Sequence, residues 1–165
     1  MSTTGNLRLE VIEAKLTRDT EFFSKMDPYV TIETRQQKFT TKTIKNGGKT
    51  PVWNAIFDID VKYVGDEMSL TVYDKDLTKS DMVGTTSVKL SSLCVNGGLD
   101  DWFTIQFKGK SAGQVRLKGT WKPTENQQPQ ANMGQNAAMG MFGAQPMGMG
   151  VAQPMGMGMQ QPMMQ

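Results

Sequence analysis

An all-β fold, an eight-stranded antiparallel β-sandwich, is what this sequence predicts over residues 1–124, with a low-complexity tail at 125–165. Three observations carry that prediction. Short segments alternate apolar and polar residues with a period of two, as half-buried strands do. Clusters of turn residues, such as Asn46-Gly47-Gly48 and Asn96-Gly97-Gly98, separate those segments at short intervals. No segment before the tail sustains a helical period. Many short strands at this spacing favour two packed antiparallel sheets with loops gathered at their ends.

The first strand carries Leu7, Leu9 and Val11 on one face and Arg8, Glu10 and Ile12 on the other. Tyr29–Thr34 is a β-branched and aromatic run, and Phe39–Ile44 alternates Thr and Lys with apolar residues. Trp53, Ala55, Phe57 and Ile59 share a face of the fourth strand. Met68–Tyr73, Val83–Leu90, Trp102–Phe107 and Gln114–Trp121 complete the set, with one short helical turn expected within Leu90–Val95. About 120 residues suffice for one core of this kind.

Bulk composition narrows the function classes. Eighteen Lys and Arg against 16 Asp and Glu name no partner by net charge. A single cysteine, Cys94, permits no intrachain disulfide and reads as a small buried hydrophobe. With no histidine the usual general base is missing, and no glycine-rich phosphate loop appears, so the chain reads as a non-enzyme. The opening residues carry no basic region followed by an apolar stretch, and no apolar run is long enough to span a bilayer. The expectation is a soluble cytoplasmic protein.

The tail differs from everything before it. No charged residue follows Glu125, and 10 of the 14 methionines lie beyond it. Gln-Pro-Met-Gly-Met-Gly occurs at 145–150 and again at 153–158. Such a composition cannot build a core and is expected to be disordered in isolation. Methionine is apolar and adaptable, so a protein partner or self-association is the expected reason for the tail.

The chemistry concentrates in two acidic loops. Val72–Gly84 places Asp74, Asp76 and Asp81 between two strands. Two carboxylates about 5 Å apart repel by roughly 3 kcal/mol at an effective dielectric near 20. Such a loop is tolerated if it stays wide and wet, or if a cation sits among the oxygens. Hard oxygen donors without His or Cys suit calcium or magnesium. The second loop, Asp19–Asp27, can lie at the same end of a sandwich.

Four stretches then identify a resemblance: Leu9-Glu10-Val11-Ile12-Glu13-Ala14; Met26-Asp27-Pro28-Tyr29-Val30; Thr50-Pro51-Val52-Trp53-Asn54 with Phe57; and Tyr73-Asp74-Lys75-Asp76 with Asp81-Met82-Val83-Gly84. Taken in order they resemble the C2 domain family across residues 6–122, and look most like small stand-alone C2 proteins such as the plant elicitor-responsive kind. Opening directly on the Leu-Glu-Val-Ile strand, the chain looks like the circular permutation called type II topology.

The resemblance implies calcium held by aspartates of the two loops and bridging to anionic phospholipid headgroups. Carried over by motif, the ligands are Asp27, Asp74, Asp76 and Asp81, with Glu21 where the family usually has its first aspartate and Asp19 as an alternative. The loop between Asp76 and Asp81 is one residue shorter than in most calcium-binding members. Phe22 and Phe23, on the first acidic loop, are candidates for membrane insertion, though at least one is expected to fold back as a plug. Arg35, Lys38, Lys42, Lys45 and Lys49 form a basic stripe without an acid between Glu33 and Asp58, and Lys38 and Lys42 are expected to share a strand face. In the family such lysines often hold phosphoinositide headgroups. No aromatic platform interleaves with them, which disfavours nucleic acid.

The leading expectation is therefore calcium-dependent peripheral binding to anionic membranes. The competing one is a calcium-independent scaffold that docks partners or self-associates through the Met-rich tail.

Overall fold

The structure, a computed structural model, describes residues 2–125. The expectations attached to residues 126–165, namely disorder, a protein partner and self-association, lie outside the described residues.

Eight strands form: β1 (Gly5–Leu16), β2 (Pro28–Glu33), β3 (Lys38–Thr40), β4 (Val52–Val61), β5 (Glu67–Asp74), β6 (Asp81–Lys89), β7 (Leu99–Phe107) and β8 (Lys110–Pro123). Their bonded order is β3-β2-β5-β6-β7-β8-β1-β4, antiparallel at every pair. β6 and β7 share the single registered pair Thr85↔Gln106, so the order folds there into two layers, β3-β2-β5-β6 over β7-β8-β1-β4. At the opposite margin Phe39 of β3 stacks on Phe57 of β4, 5.1 Å between ring centroids. Close by, the Asp60 amide donates to Gln37 Oε1 (3.0 Å). The sandwich is thereby nearly closed into a barrel.

Alternation decides which side chains enter the core. Leu7, Leu9 and Val11 are all fully buried, as the period of two requires. A bulge between Val11 and Glu13 then inserts one residue, and the buried positions switch parity to Ala14 and Leu16. Val30 and Ile32, Leu70 and Val72, and Val115 and Leu117 meet them from the other strands. Full burial of each such side chain contributes about 1.5–3 kcal/mol. At Gly113 (φ 129°) a Cβ would stand 2.3 Å from the Lys15 carbonyl oxygen, so only glycine lets β1 and β8 approach at their loop end.

Two segments differ from the sequence expectation. The strand expected over Phe39–Ile44 is only Lys38–Thr40. Thr41 ends it: its hydroxyl accepts the Val30 amide (2.9 Å) and donates to the Lys42 carbonyl (2.9 Å), taking the place of a backbone acceptor. With the strand ended, parity no longer places Lys38 and Lys42 on one face. The expected turn within Leu90–Val95 is a 3-10 turn, Leu90–Ser92.

Antiparallel pairing brings four connections to one end: the loops 17–27, 41–51 and 75–80, and the tight turn at Lys108–Gly109. Among the described residues no helix is long and apolar enough to cross a membrane.

Candidate metal centre

The three loops at this end are stapled to one another through two aspartates. Asp74, the last residue of β5, is 1% exposed. Its Oδ1 accepts the Asp27 amide (2.7 Å) and its Oδ2 accepts the Thr20 hydroxyl (2.5 Å). Asp27 in turn accepts the Asn46 amide on Oδ1 (2.6 Å), and its carbonyl accepts the Lys75 amide (3.0 Å). Asn46 takes a positive φ of 56°, which suits Asn in a tight turn and aims its N–H at Asp27. Beneath the loops, Tyr29 stacks on Tyr73 (5.4 Å) and hydrogen-bonds Ser80 through their hydroxyls (3.0 Å).

Above this lattice the carboxylates of Glu21, Asp74 and Asp76 each offer an oxygen within 4.8 Å of the others. Asp76 is exposed. Lost hydration, then the carboxylates of Asp74, Glu21 and Asp81, then a hydrogen bond to Glu21, push its carboxyl above the ordinary aspartate range. The trio opens on a cleft of about 520 Å³, lined also by Asp27, Asn46, Lys25, Lys45 and Lys75.

A hard cation fits this donor set. All three donors are carboxylate oxygens, their mutual repulsion is what a positive ion relieves, and the ordered hydrogen bonds on Asp74 leave lone pairs free.

Not every candidate residue joins the trio. Asp27 lines the cleft with one oxygen on the Asn46 amide. Asp81 opens β6 in register with Asp74 and stays outside the tight cluster while still acting on Asp76. Asp19 accepts the Glu21 amide (3.0 Å), shaping the turn that presents Glu21.

Phe22 and Phe23 are 95% and 103% exposed, so neither folds back. Met26, on the same loop, is the apolar side chain that is fully buried. Leu77, which sequence reasoning passed over, is fully exposed on the third loop beside the cleft. Its signal was a lone apolar residue in the polar run Lys75–Ser80. Nothing in the sequence pointed to Thr20.

The basic stripe is dispersed. Lys45 lines the cleft, and Lys42 and Lys49 lie in the same loop. Lys38 pairs with Glu33 (3.3 Å). Arg35 sits in the β2–β3 turn at the opposite end, near Asp66. Lys25 and Lys75, both missed in the sequence, stand at the cleft instead. Cys94 packs against the core, where burial pushes its thiol up to about 11.

Comparison with known proteins agrees with this architecture. The C2 domain family model matches residues 5–105. The chain belongs to the C2 domain family. It is similar to 16 kDa phloem protein 2 of Arabidopsis thaliana, 29% identical over 124 residues that cover 74% of this chain and 84% of that one. A solved C2 domain-containing protein from an elicitor-responsive gene superposes with a TM-score of 0.64 at 28% identity, covering 75% of this chain and 93% of that one. The calcium-bound pair of C2 domains from Extended-Synaptotagmin 2 also matches with a TM-score of 0.64 at 28% identity. That match covers 73% of this chain and 46% of the other, so this C2 chain spans about half of the two-domain protein.

Proposed function

We propose that this C2 protein binds anionic phospholipid membranes peripherally and that calcium governs the attachment. One observation carries the reading. The Glu21–Asp74–Asp76 trio and the three fully exposed apolar side chains Phe22, Phe23 and Leu77 lie on the same two loops. The calcium-bound state of the Extended-Synaptotagmin 2 domains supports the choice of ion.

Glu21, Asp74 and Asp76 would hold the ion, with Asp27 and Asp81 adding negative potential at its margin. Bound calcium supplies positive charge that offsets the carboxylates and attracts lipid phosphate. Without it, Asp76 and its neighbours repel an anionic surface. Phe22, Phe23 and Leu77 then remain in water, at an apolar cost that burial in the headgroup region removes. Lys42, Lys45 and Lys49, joined by Lys25 and Lys75, face the headgroups around the cleft. Each contributes about 1 kcal/mol near an anionic surface, screened beyond a Debye length. A phosphoinositide is the headgroup this group of lysines suits best. Attachment is reversible, from the cytoplasmic side, and involves no catalysis.

The test is calcium titration by calorimetry on the full chain and on Glu21→Gln/Asp76→Asn, beside sedimentation with phosphatidylserine vesicles. Saturable heat and calcium-dependent sedimentation in the wild type, both lost in the variant, are expected. Equal sedimentation in calcium and in chelator would sink the calcium switch.

A further inference from the structure

The loop end carries a second cluster of cations, distinct from those around the cleft. Arg18 leaves β1 directly after Thr17, whose amide donates to the Ala112 carbonyl (2.9 Å) and so fixes the Arg18 backbone against β8. Its guanidinium lies over the Phe107 ring, with Cζ 3.7 Å from the centroid. Lys108 Nζ lies 5.3 Å from the same centroid. Phe107 pairs with Lys110 across a two-residue turn. Both turn residues have positive φ, Lys108 at 50° and Gly109 at 79°, as a rigid primed hairpin requires. Lys108 and Lys110 are thus held on an inflexible support beside the first acidic loop.

Arg18 is the residue that calls for a ligand. Its Nε is buried, and it has no hydrogen-bond partner among the described residues. A buried donor without a partner is costly, and such groups are rare. None of the ion pairs among the described residues involves Arg18, Lys108 or Lys110. A guanidinium held over an aromatic ring keeps its two Nη groups available for a phosphate, which Arg can bind bidentately.

We propose that Arg18, Lys108 and Lys110, supported by Phe107, form a calcium-independent binding site for the phosphate of an anionic lipid. Lipid is assigned as the source because the hairpin shares the loop end with Phe22, Phe23 and Leu77, and that choice rests on the membrane reading above. The site supplies a first, weak attachment before calcium arrives.

The experiment measures partition of the full chain onto phosphatidylserine-containing vesicles at low ionic strength, in calcium and in chelator. Three variants accompany the wild type: Arg18→Gln/Lys108→Asn/Lys110→Gln, Glu21→Gln/Asp76→Asn, and a control of equal charge loss elsewhere, Arg8→Gln/Lys89→Gln/Lys122→Gln. Asn is chosen at 108 because it tolerates positive φ. Thermal melts confirm folding, and Lys108→Asn/Lys110→Gln serves if loss of Arg18 prevents it.

At about fivefold per basic residue, the Arg18 variant is expected to bind at least about tenfold more weakly in both conditions. The control should stay within about twofold of the wild type. If the Arg18 variant instead matches the control, the site is wrong and the calcium reading stands. If Glu21→Gln/Asp76→Asn binds like the wild type while the Arg18 variant drops, the calcium reading is wrong and the site stands. Binding by none of the proteins overturns both. Displacement of the wild type by millimolar inorganic phosphate at constant ionic strength would make this a receptor for soluble phosphate, which overturns the lipid assignment.

Discussion

Asp74 and Asp76 are two residues apart, carry the same carboxylate and face the same cleft, yet they sit in opposite environments. Asp74 is buried and accepts hydrogen bonds from Asp27 and Thr20, so it ties the first loop to the third. Asp76 is exposed, crowded by Asp74, Glu21 and Asp81, and its carboxyl is pushed above the usual range. The same division runs through the whole end of the molecule. Thr20, Asp27, Asn46 and Asp74 form a lattice that defines loop shape. Glu21, Asp76, Phe22, Phe23 and Leu77 form a rim that ties no loop to another through the hydrogen bonds of that lattice. A carboxylate in an acidic loop is therefore not a ligand by virtue of its position alone, and the two regions should respond differently to substitution.

The largest effect is expected at Asp74→Ala, which leaves the partly buried Asp27 amide and the Thr20 hydroxyl without their acceptor. Hydrogen bonds to a charged group are worth about 1.5–3 kcal/mol each, so calcium-free unfolding in urea should show a loss of about 3–5 kcal/mol. Rim substitutions should leave that stability nearly unchanged. A loss under about 1 kcal/mol at Asp74 would dissolve the distinction between lattice and rim.

Next comes the apolar rim. Burying one Phe or Leu side chain is worth about 1.5–3 kcal/mol, or about tenfold or more in partition. Partial insertion lowers that, so Phe22→Ser, Phe23→Ser and Leu77→Ser should each weaken vesicle binding in calcium by about three- to tenfold, with unfolding unaffected. If Leu77→Ser is silent while both Phe variants are not, the first loop alone enters the membrane.

Much of this was legible in the sequence, and what escaped has identifiable causes. Period-two alternation located all the strands because burial on one face dictates residue type at every second position, as Leu7, Leu9 and Val11 show. The third strand was overextended because Thr41 looks like any β-branched strand residue. Its use of a hydroxyl to end the ladder depends on Val30, eleven positions away. The convergence of Asp74 and Asp76 with Glu21 followed from the family resemblance. The division of labour between Asp74 and Asp76 did not, because it depends on which carboxylate meets the Asp27 amide. At least one of Phe22 and Phe23 was expected to fold back as a plug, yet both are exposed while Met26 of the same loop is buried, a matter of packing that alternation does not encode. The Arg18–Phe107 stack joins residues far apart in sequence and left no local trace.

The smallest effect, and the sharpest test of the rim, is in pH dependence. Asp100 is the contrasting surface acid: Arg116 binds it at both oxygens, Nε to Oδ1 and Nη2 to Oδ2, each at 2.9 Å. That pairing lowers the Asp100 carboxyl pKa. A lowered folded pKa means a contribution present above the unfolded value, about 3.9, and lost as pH falls through the folded one. Asp100→Asn should thus destabilise the protein at neutral pH and make no difference in strong acid. Asp76 has the opposite sign. Its raised folded pKa favours the fold only while the carboxyl is protonated, and that advantage is lost as pH rises through the folded value. In chelator at neutral pH, Asp76→Asn should therefore shift the urea midpoint slightly upward, whereas in calcium it should shift it downward by removing a ligand for the ion. A variant that is destabilised in chelator as Asp100→Asn is would show that Asp76 is held by favourable partners. The crowding that makes the rim receptive to a cation would then not exist.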